Sequence, residues 1–182
     1  MLVNEQQTER ALDRIETSLT EYLWIMERVR SCDVSADTAF QEAYDTHYRV
    51  RKDAVWRGHY YSLMERAKAV PISFRMIVGL MQVFGDTIEA ALCSKLVATV
   101  DPSKPILDKT IMRVFGMDDP VNKFRSAIVL VPQQYEDLEQ RYSELLASPE
   151  GRRMCDQFSK RYPNAAVTDI KRIDFVLRHH SE

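Results

Sequence analysis

One lysine lies on a predicted helix at a position where an apolar residue is expected. At about 100° per residue, Lys95 falls within the apolar arc that contains Ile88, Leu92 and Thr99. A lysine there must extend its ammonium group to solvent or pair with an acid, because an unpaired buried ammonium is very costly. If it is desolvated instead, its pKa falls and the neutral amine becomes a nucleophile. The sequence leaves a structural and a catalytic Lys95 both open.

Two aspartates are the candidate partners of this lysine. Asp174 lies on the apolar side of the last predicted helix, among Ile170, Ile173 and Leu177. We expect Asp108 and Asp174 to meet Lys95 or a buried arginine such as Arg113. Such a pair at a junction of helices either locks the fold or contributes to a ligand pocket.

Asp108 has a second possible role, because it directly precedes a helical pattern that stops at Gly116. Aspartate is among the best residues for capping the free N–H groups of a helix start. A carboxylate in that position, facing a groove, can also stabilise positive charge that develops on a deoxyribose or activate a water molecule. Asp108 and Lys95 are therefore the candidate catalytic residues.

A basic and aromatic stretch is the candidate nucleic-acid surface. Between His47 and Arg75 there are seven Lys or Arg residues and two acids. Arginines contact phosphates and aromatic rings stack on bases, so the stretch favours DNA as a partner. The alternative is a solvated helix face above buried aromatics, since the aromatics recur at helical spacing. The candidate binding residues in this stretch are Arg49, Arg51, Lys52, Trp56 and Arg57.

Composition and periodicity predict an all-α protein. The 182 residues are 45% apolar, enough for one compact multi-helix domain over residues 1–182, or for two lobes that share a core. Helical patterns with a 3.6-residue period dominate, and alternating strand patterns are almost absent. The predicted helices cover 4–31, a segment from Ser35, 54–69, 73–83, 86–100, 108–116, 121–131, 133–147, 150–161 and 169–179.

The charge and the cysteines exclude several classes of function. The net charge of −2 rules out a strongly basic coat, although not a local basic face. Three separated cysteines and four histidines show no metal-ligand spacing, so we expect no metal and no cofactor. The polar start and the absence of a long apolar run predict no membrane segment and a cytoplasmic protein.

The segment 83–116 resembles the helix-hairpin-helix DNA glycosylases of the endonuclease III type. In that family a Leu-Pro-Gly-Val-Gly hairpin is followed by a helix, a loop and Val-Asp-Thr-His-Val-x-Arg-Val. Residues 107–114, LDKTIMRV, are similar to the last element, and Asp108 matches the family's catalytic aspartate. Gly85 resembles the last hairpin glycine and joins the candidate DNA-binding residues. Here the hairpin has one glycine and no proline, and Thr87 replaces the lysine of bifunctional members.

Four segments also look like a divergent, uncharacterised bacterial branch of this superfamily. They are 48–57, 94–99, 105–108 and 171–177. The resemblance implies a DNA-binding protein that flips a base into a pocket between helices, with Asp108 as the charge-stabilising acid and 73–116 as a hairpin-like segment. Two alternatives remain: a nucleic-acid-binding module without catalysis, and a helical interaction protein whose charged residues only stabilise the core.

Overall fold

Capped helices account for most of the chain in a computed structural model, which describes residues 2–84, 87–119 and 127–180. No strand occurs in these ranges, and the all-α prediction is confirmed for them. A short 3₁₀ turn, Gln82–Phe84, follows α5. The α-helices are α1 Glu5–Leu12, α2 Glu16–Ser31, α3 Thr38–Tyr48, α4 Ala54–Ala69, α5 Phe74–Met81, α6 Ala90–Val100, α7 Lys109–Val114, α8 Ala127–Ala147, α9 Pro149–Arg161 and α10 Asp169–His179.

Three predicted helix starts are confirmed by their capping hydrogen bonds. Asp53 accepts from the Trp56 N–H at 2.9 Å, at the start of α4. Ser73 caps α5 and Ser148 caps α9 in the same way. Because a capping side chain acts on the N–H groups two or three residues ahead, these starts are visible in the local sequence.

Three predicted boundaries differ from the structure. The predicted helix 4–31 is divided into α1 and α2, because the chain turns at Asp13. Ile15, which follows this turn, is fully buried in the core. Helix α6 starts at Ala90 rather than at 86, and Glu89 before it is held by Lys52 and Thr87. Helix α8 continues through Pro132, since the carbonyl group that loses its partner there belongs to the exposed Ile128.

Two helices organise the core. Helix α6 packs against α2, α4 and α5, and most of its residues are buried. Helix α10 packs against α1, α7, α8 and α9. The buried apolar residues of both groups belong to one hydrophobic cluster. Lys95 lies on α6 and Asp174 on α10, so the two residues belong to the two organising helices.

The connection between α6 and α7 is fixed by hydrogen bonds to three helices or their caps. The Leu107 N–H donates to the Ser94 hydroxyl at 2.9 Å, which holds this segment against α6. The Tyr135 hydroxyl donates to the Pro105 carbonyl oxygen at 3.0 Å, and the Thr168 hydroxyl donates to that of Pro102 at 2.6 Å. Asp108 directly follows this fixed segment.

A close approach at Gly151 provides a test of the packing between α8 and α9. A Cβ at Gly151 would lie 2.0 Å from the Leu145 carbonyl oxygen, whereas a Cβ at Gly58 in α4 meets nothing within 4 Å. We expect Gly151→Ala to lower the free energy of unfolding by about 1–3 kcal/mol through overpacking. Gly58→Ala is expected to raise it by about 0.5–1 kcal/mol, because alanine favours the helix. Urea denaturation measures both, and a neutral Gly151→Ala would contradict the observed contact.

Candidate functional site

The ammonium group of Lys95 is held at the end of another helix. Its Nζ donates a hydrogen bond to the Tyr48 carbonyl oxygen at 3.0 Å, and Tyr48 is the last residue of α3. The last carbonyl groups of a helix lack partners within the helix, and a cation there is favourable. The same Nζ lies 5.8 Å from the centroid of the Tyr48 ring. Lys95 therefore caps α3 while remaining partly exposed.

The surroundings of Lys95 favour its neutral form. Its pKa is lowered to about 8, with burial as the largest cause. The positive charges of Arg178 and Arg49 also lower this pKa, and the negative charge of Asp108 raises it. An amine with this pKa is partly neutral near neutral pH and can act as a nucleophile. The hydrogen bond to Tyr48 shows the structural role of this lysine, and the catalytic role stays a prediction.

Asp108 caps α7 as predicted. Its Oδ1 accepts a hydrogen bond from the Thr110 N–H at 2.8 Å, and the residue is partly exposed. Its charge raises the pKa of Lys95 and that of Arg178, which places the carboxylate within electrostatic reach of both cations. The fixed segment before α7 explains this position, because Leu107 is bonded to Ser94, the residue before Lys95.

Asp174 does not meet Lys95 or Arg113, which corrects the expected pairing. It is 3% exposed, and its Oδ2 accepts from Lys171 Nζ at 2.9 Å. The Tyr142 hydroxyl donates to its Oδ1, and an Nη of Arg178 lies 3.6 Å from its Oδ2. Lys171 and Arg178 precede and follow Asp174 by three and four residues, the spacing that brings side chains together on one helix. Arg113 is exposed on α7.

This buried cluster holds more positive than negative charge. Burial alone would raise the pKa of Asp174, but Lys171, Arg178 and the Tyr142 hydrogen bond together lower it. Burial lowers the pKa of Lys171 more than Asp174 restores it. Arg178 and Lys171 are the site residues that the sequence analysis missed. Their helical spacing from Asp174 is the signal that could have identified them.

The basic and aromatic stretch divides into buried and exposed parts. Trp56 is 4% exposed and stacks on Tyr60, with ring centroids 5.0 Å apart, so its ring has no free face for a base. This corrects the stacking role expected of Trp56. Lys52 pairs with Glu89, and Arg57 pairs with Asp45 at 2.7 Å.

Two arginines among the five candidate binding residues are exposed. Arg49 and Arg51 lie in the turn between α3 and α4. Arg49 adopts a left-handed backbone conformation with φ of 56°, a strained geometry for a residue with a Cβ. Gly85, the expected hairpin glycine, lies outside the described residues.

The described ranges contain neither a metal-ligand cluster nor a membrane-spanning helix. There, no group of three or more His, Cys, Asp or Glu side chains is arranged to hold a metal ion. None of the helices described is long and apolar enough to cross a bilayer.

Comparisons with family models, with curated proteins and with solved structures found no match for this chain. The candidate site is therefore defined by its own geometry. It consists of Lys95, Asp108, Arg49 and Arg178, together with the carbonyl group of Tyr48.

The lowered pKa of Lys95 predicts a particular pH dependence of stability. The pKa of this lysine rises from about 8 to its ordinary value of 10.5 on unfolding. The unfolded chain then binds more protons between these values, so the free energy of unfolding rises with pH in that window. Relative to Lys95→Gln, the wild-type protein is expected to gain stability between pH 8 and 10.5. Urea denaturation at pH 7, 8.5 and 10 measures this difference.

Lys109→Gln is the matched control, because it removes one positive charge from an exposed position. Parallel stability profiles for the wild type and Lys95→Gln across pH 8 to 10.5 would contradict the lowered pKa.

Proposed function

We propose that the protein binds DNA and acts at the C1′ carbon of a deoxyribose, with Lys95 as the nucleophile and Asp108 as the charge-stabilising carboxylate. The observation that carries this proposal is the position of the Lys95 amine, half-buried at the end of α3 and within electrostatic reach of Arg49, Arg178 and Asp108. Burial favours the reactive neutral amine, and the nearby carboxylate favours a positive charge that forms on the substrate.

An abasic deoxyribose is the simplest substrate for this pair. The neutral Nζ of Lys95 attacks the aldehyde carbon C1′ and a carbon–nitrogen bond forms. The carbonyl oxygen leaves as water, with one proton from the amine and one from solvent. The product is a protonated imine, whose positive charge the Asp108 carboxylate stabilises. Hydrolysis of the imine reverses this step, so the imine is a reversible covalent complex with the abasic site that a reductant can trap.

Exposed arginines next to the nucleophile support DNA as the substrate class. Arg49 directly follows Tyr48, whose carbonyl oxygen holds the Lys95 ammonium group. A phosphate contact at Arg49 or Arg51 would therefore place a DNA strand beside this amine. Lys52 and Arg57 are paired with acids and contribute less to this surface.

The sequence resemblance adds support from a separate direction. Residues 107–114 resemble the catalytic segment of the helix-hairpin-helix glycosylases, in which an aspartate occupies the position of Asp108. In the structure Asp108 begins α7 and is partly exposed, as that role requires.

A helical interaction protein without catalysis is the second candidate. It is favoured by one observation: the hydrogen bond from Lys95 to the Tyr48 carbonyl oxygen also serves as a helix cap. Under that alternative Lys95 contributes to stability alone.

Reductive trapping distinguishes the two candidates. Wild-type protein incubated with an abasic duplex and sodium cyanoborohydride is expected to form a covalent adduct, because the reductant converts the imine to a stable amine. Lys95→Gln should abolish the adduct at Lys95, and Asp108→Asn should slow its formation. Lys160→Gln, a control on an exposed lysine of α9, should leave it unchanged. Peptide mass spectrometry locates the modified residue.

A wild-type protein that forms no adduct, or an adduct that Lys95→Gln retains, would refute the catalytic proposal. Circular dichroism confirms that each variant is folded.

Two substitutions of Arg49 distinguish its effect on DNA binding from its effect on stability. Arg49→Gly relieves the left-handed strain and is expected to raise the free energy of unfolding by about 0.5–1 kcal/mol. Arg49→Gln keeps the strain. Both variants are expected to weaken DNA binding and to reduce its salt slope by about 1, because each removes one phosphate contact. Fluorescence anisotropy over a salt series measures this slope, and unchanged binding in both variants would remove Arg49 from the interface.

A further inference from the structure

Two buried polar groups next to the candidate site lack hydrogen-bond partners among the described residues. They are the hydroxyl of Tyr48, a residue 4% exposed, and the Nε and one Nη of Arg178. The Thr99 hydroxyl lies near the Tyr48 hydroxyl, but the two make no hydrogen bond of ordinary geometry. A buried donor without a partner is destabilising, so a native protein rarely keeps one without a reason. Both side chains line the same cavity of about 20 Å³. That volume accommodates one atom of the size of a water oxygen.

The free edge of the Arg178 guanidinium has a geometry suited to oxyanions. Nε and Nη2, the two atoms without hydrogen-bond partners, form one edge of the planar guanidinium group. This edge can donate two parallel hydrogen bonds. Asp174 approaches the same Nη but remains 3.6 Å away, beyond ordinary hydrogen-bond length. The guanidinium is thus neutralised in part by Asp174 but not saturated with acceptors.

The charges around the cavity favour an anion. Lys171, Asp174 and Arg178 face it from α10, His47 and Tyr48 from α3, and Tyr22 from α2. Burial lowers the pKa of His47, so this imidazole adds no charge near neutral pH. Two cations and one carboxylate line the cavity. Outside its lining, Lys95 repels the charge of Arg178 and Asp108 attracts it, and Glu21 lies 2.9 Å from His47 Nδ1.

We propose that the Tyr48 hydroxyl and the Arg178 guanidinium bind one oxygen of a phosphate group, whose other oxygens remain outside the cavity. This inference deepens the proposed function and rests on it for the identity of the substrate: the phosphate belongs to the DNA strand whose deoxyribose meets Lys95. The site itself depends only on the unpartnered donors and on the excess positive charge.

Thermal unfolding in phosphate tests the site without any catalytic step. Inorganic phosphate at ten times its Kd is expected to raise the Tm of the wild-type protein by about 3–6 °C relative to chloride at the same ionic strength. Arg178→Gln and Tyr48→Phe should both lose this shift. Arg172→Gln, on the same helix, is the control for the arginine.

A pair of buried tyrosines provides the sharpest comparison. Tyr48→Phe removes a hydroxyl without a partner, so the Tm without phosphate should stay the same or rise. Tyr135→Phe removes a hydroxyl that donates to the Pro105 carbonyl oxygen, so the Tm should fall while the phosphate shift persists. An equal Tm in phosphate and chloride, a shift that Tyr48→Phe retains, or a Tm that falls in Tyr48→Phe would each overturn the phosphate site. The last result would indicate a water molecule as the only partner.

Two further arms identify the source of the phosphate. A thymidine dinucleotide joined by one phosphodiester should reproduce the shift if the ligand is a DNA strand. Stabilisation by inorganic phosphate alone would keep the site but assign it to a free phosphate or a phosphomonoester. Reductive trapping at Lys95 remains a separate measurement, so a phosphate shift without trapping overturns the catalytic proposal and leaves the phosphate site standing.

Discussion

The carboxylate of Asp174 is the charge on which the rest of the site depends. It is buried, and it receives Lys171 and Arg178 from its own helix and a hydroxyl from Tyr142 on α8. Removal of this single acid would leave a buried lysine without compensation, which is among the costliest changes a core can undergo. Burial is the largest cause that lowers the pKa of Lys95, and Arg178, one of the two cations beside this carboxylate, lowers it further. The cluster that joins α10 to α8 thereby also acts on the charge of an amine on α6.

The local features of the fold were predictable from the sequence, and the long-range contacts were not. The cap at Asp108 depends on a carboxylate and the next two residues, so its place at the start of α7 is visible in the chain. The position of Lys95 on an apolar arc is equally local. Its partner is the Tyr48 carbonyl oxygen, which is 47 residues away, and that contact depends on where α3 ends against α6. The helical periodicity of the sequence does not predict the contact between Lys95 and Tyr48.

The basic and aromatic stretch illustrates the same limit. Alternating arginines and aromatics fit either a nucleic-acid surface or a helix that buries its rings, and only tertiary packing separates the two. Trp56 lies in the core. Lys52 pairs with Glu89, which directly precedes α6, and Arg57 pairs with Asp45 on α3. What remains exposed is the turn at Arg49 and Arg51, where the strained backbone of Arg49 costs stability.

The site draws its residues from opposite halves of the chain: Tyr48 from α3, Lys95 from α6, Asp108 from the start of α7, and Arg178 from the last described helix. Contacts of such high sequence separation demand the closure of long loops, which slows folding. A partly folded chain in which only α2 to α6 have assembled would contain the amine but lack both Asp108 and Arg178. The geometry of the proposed site is therefore complete only when α7 and α10 have joined the rest of the fold.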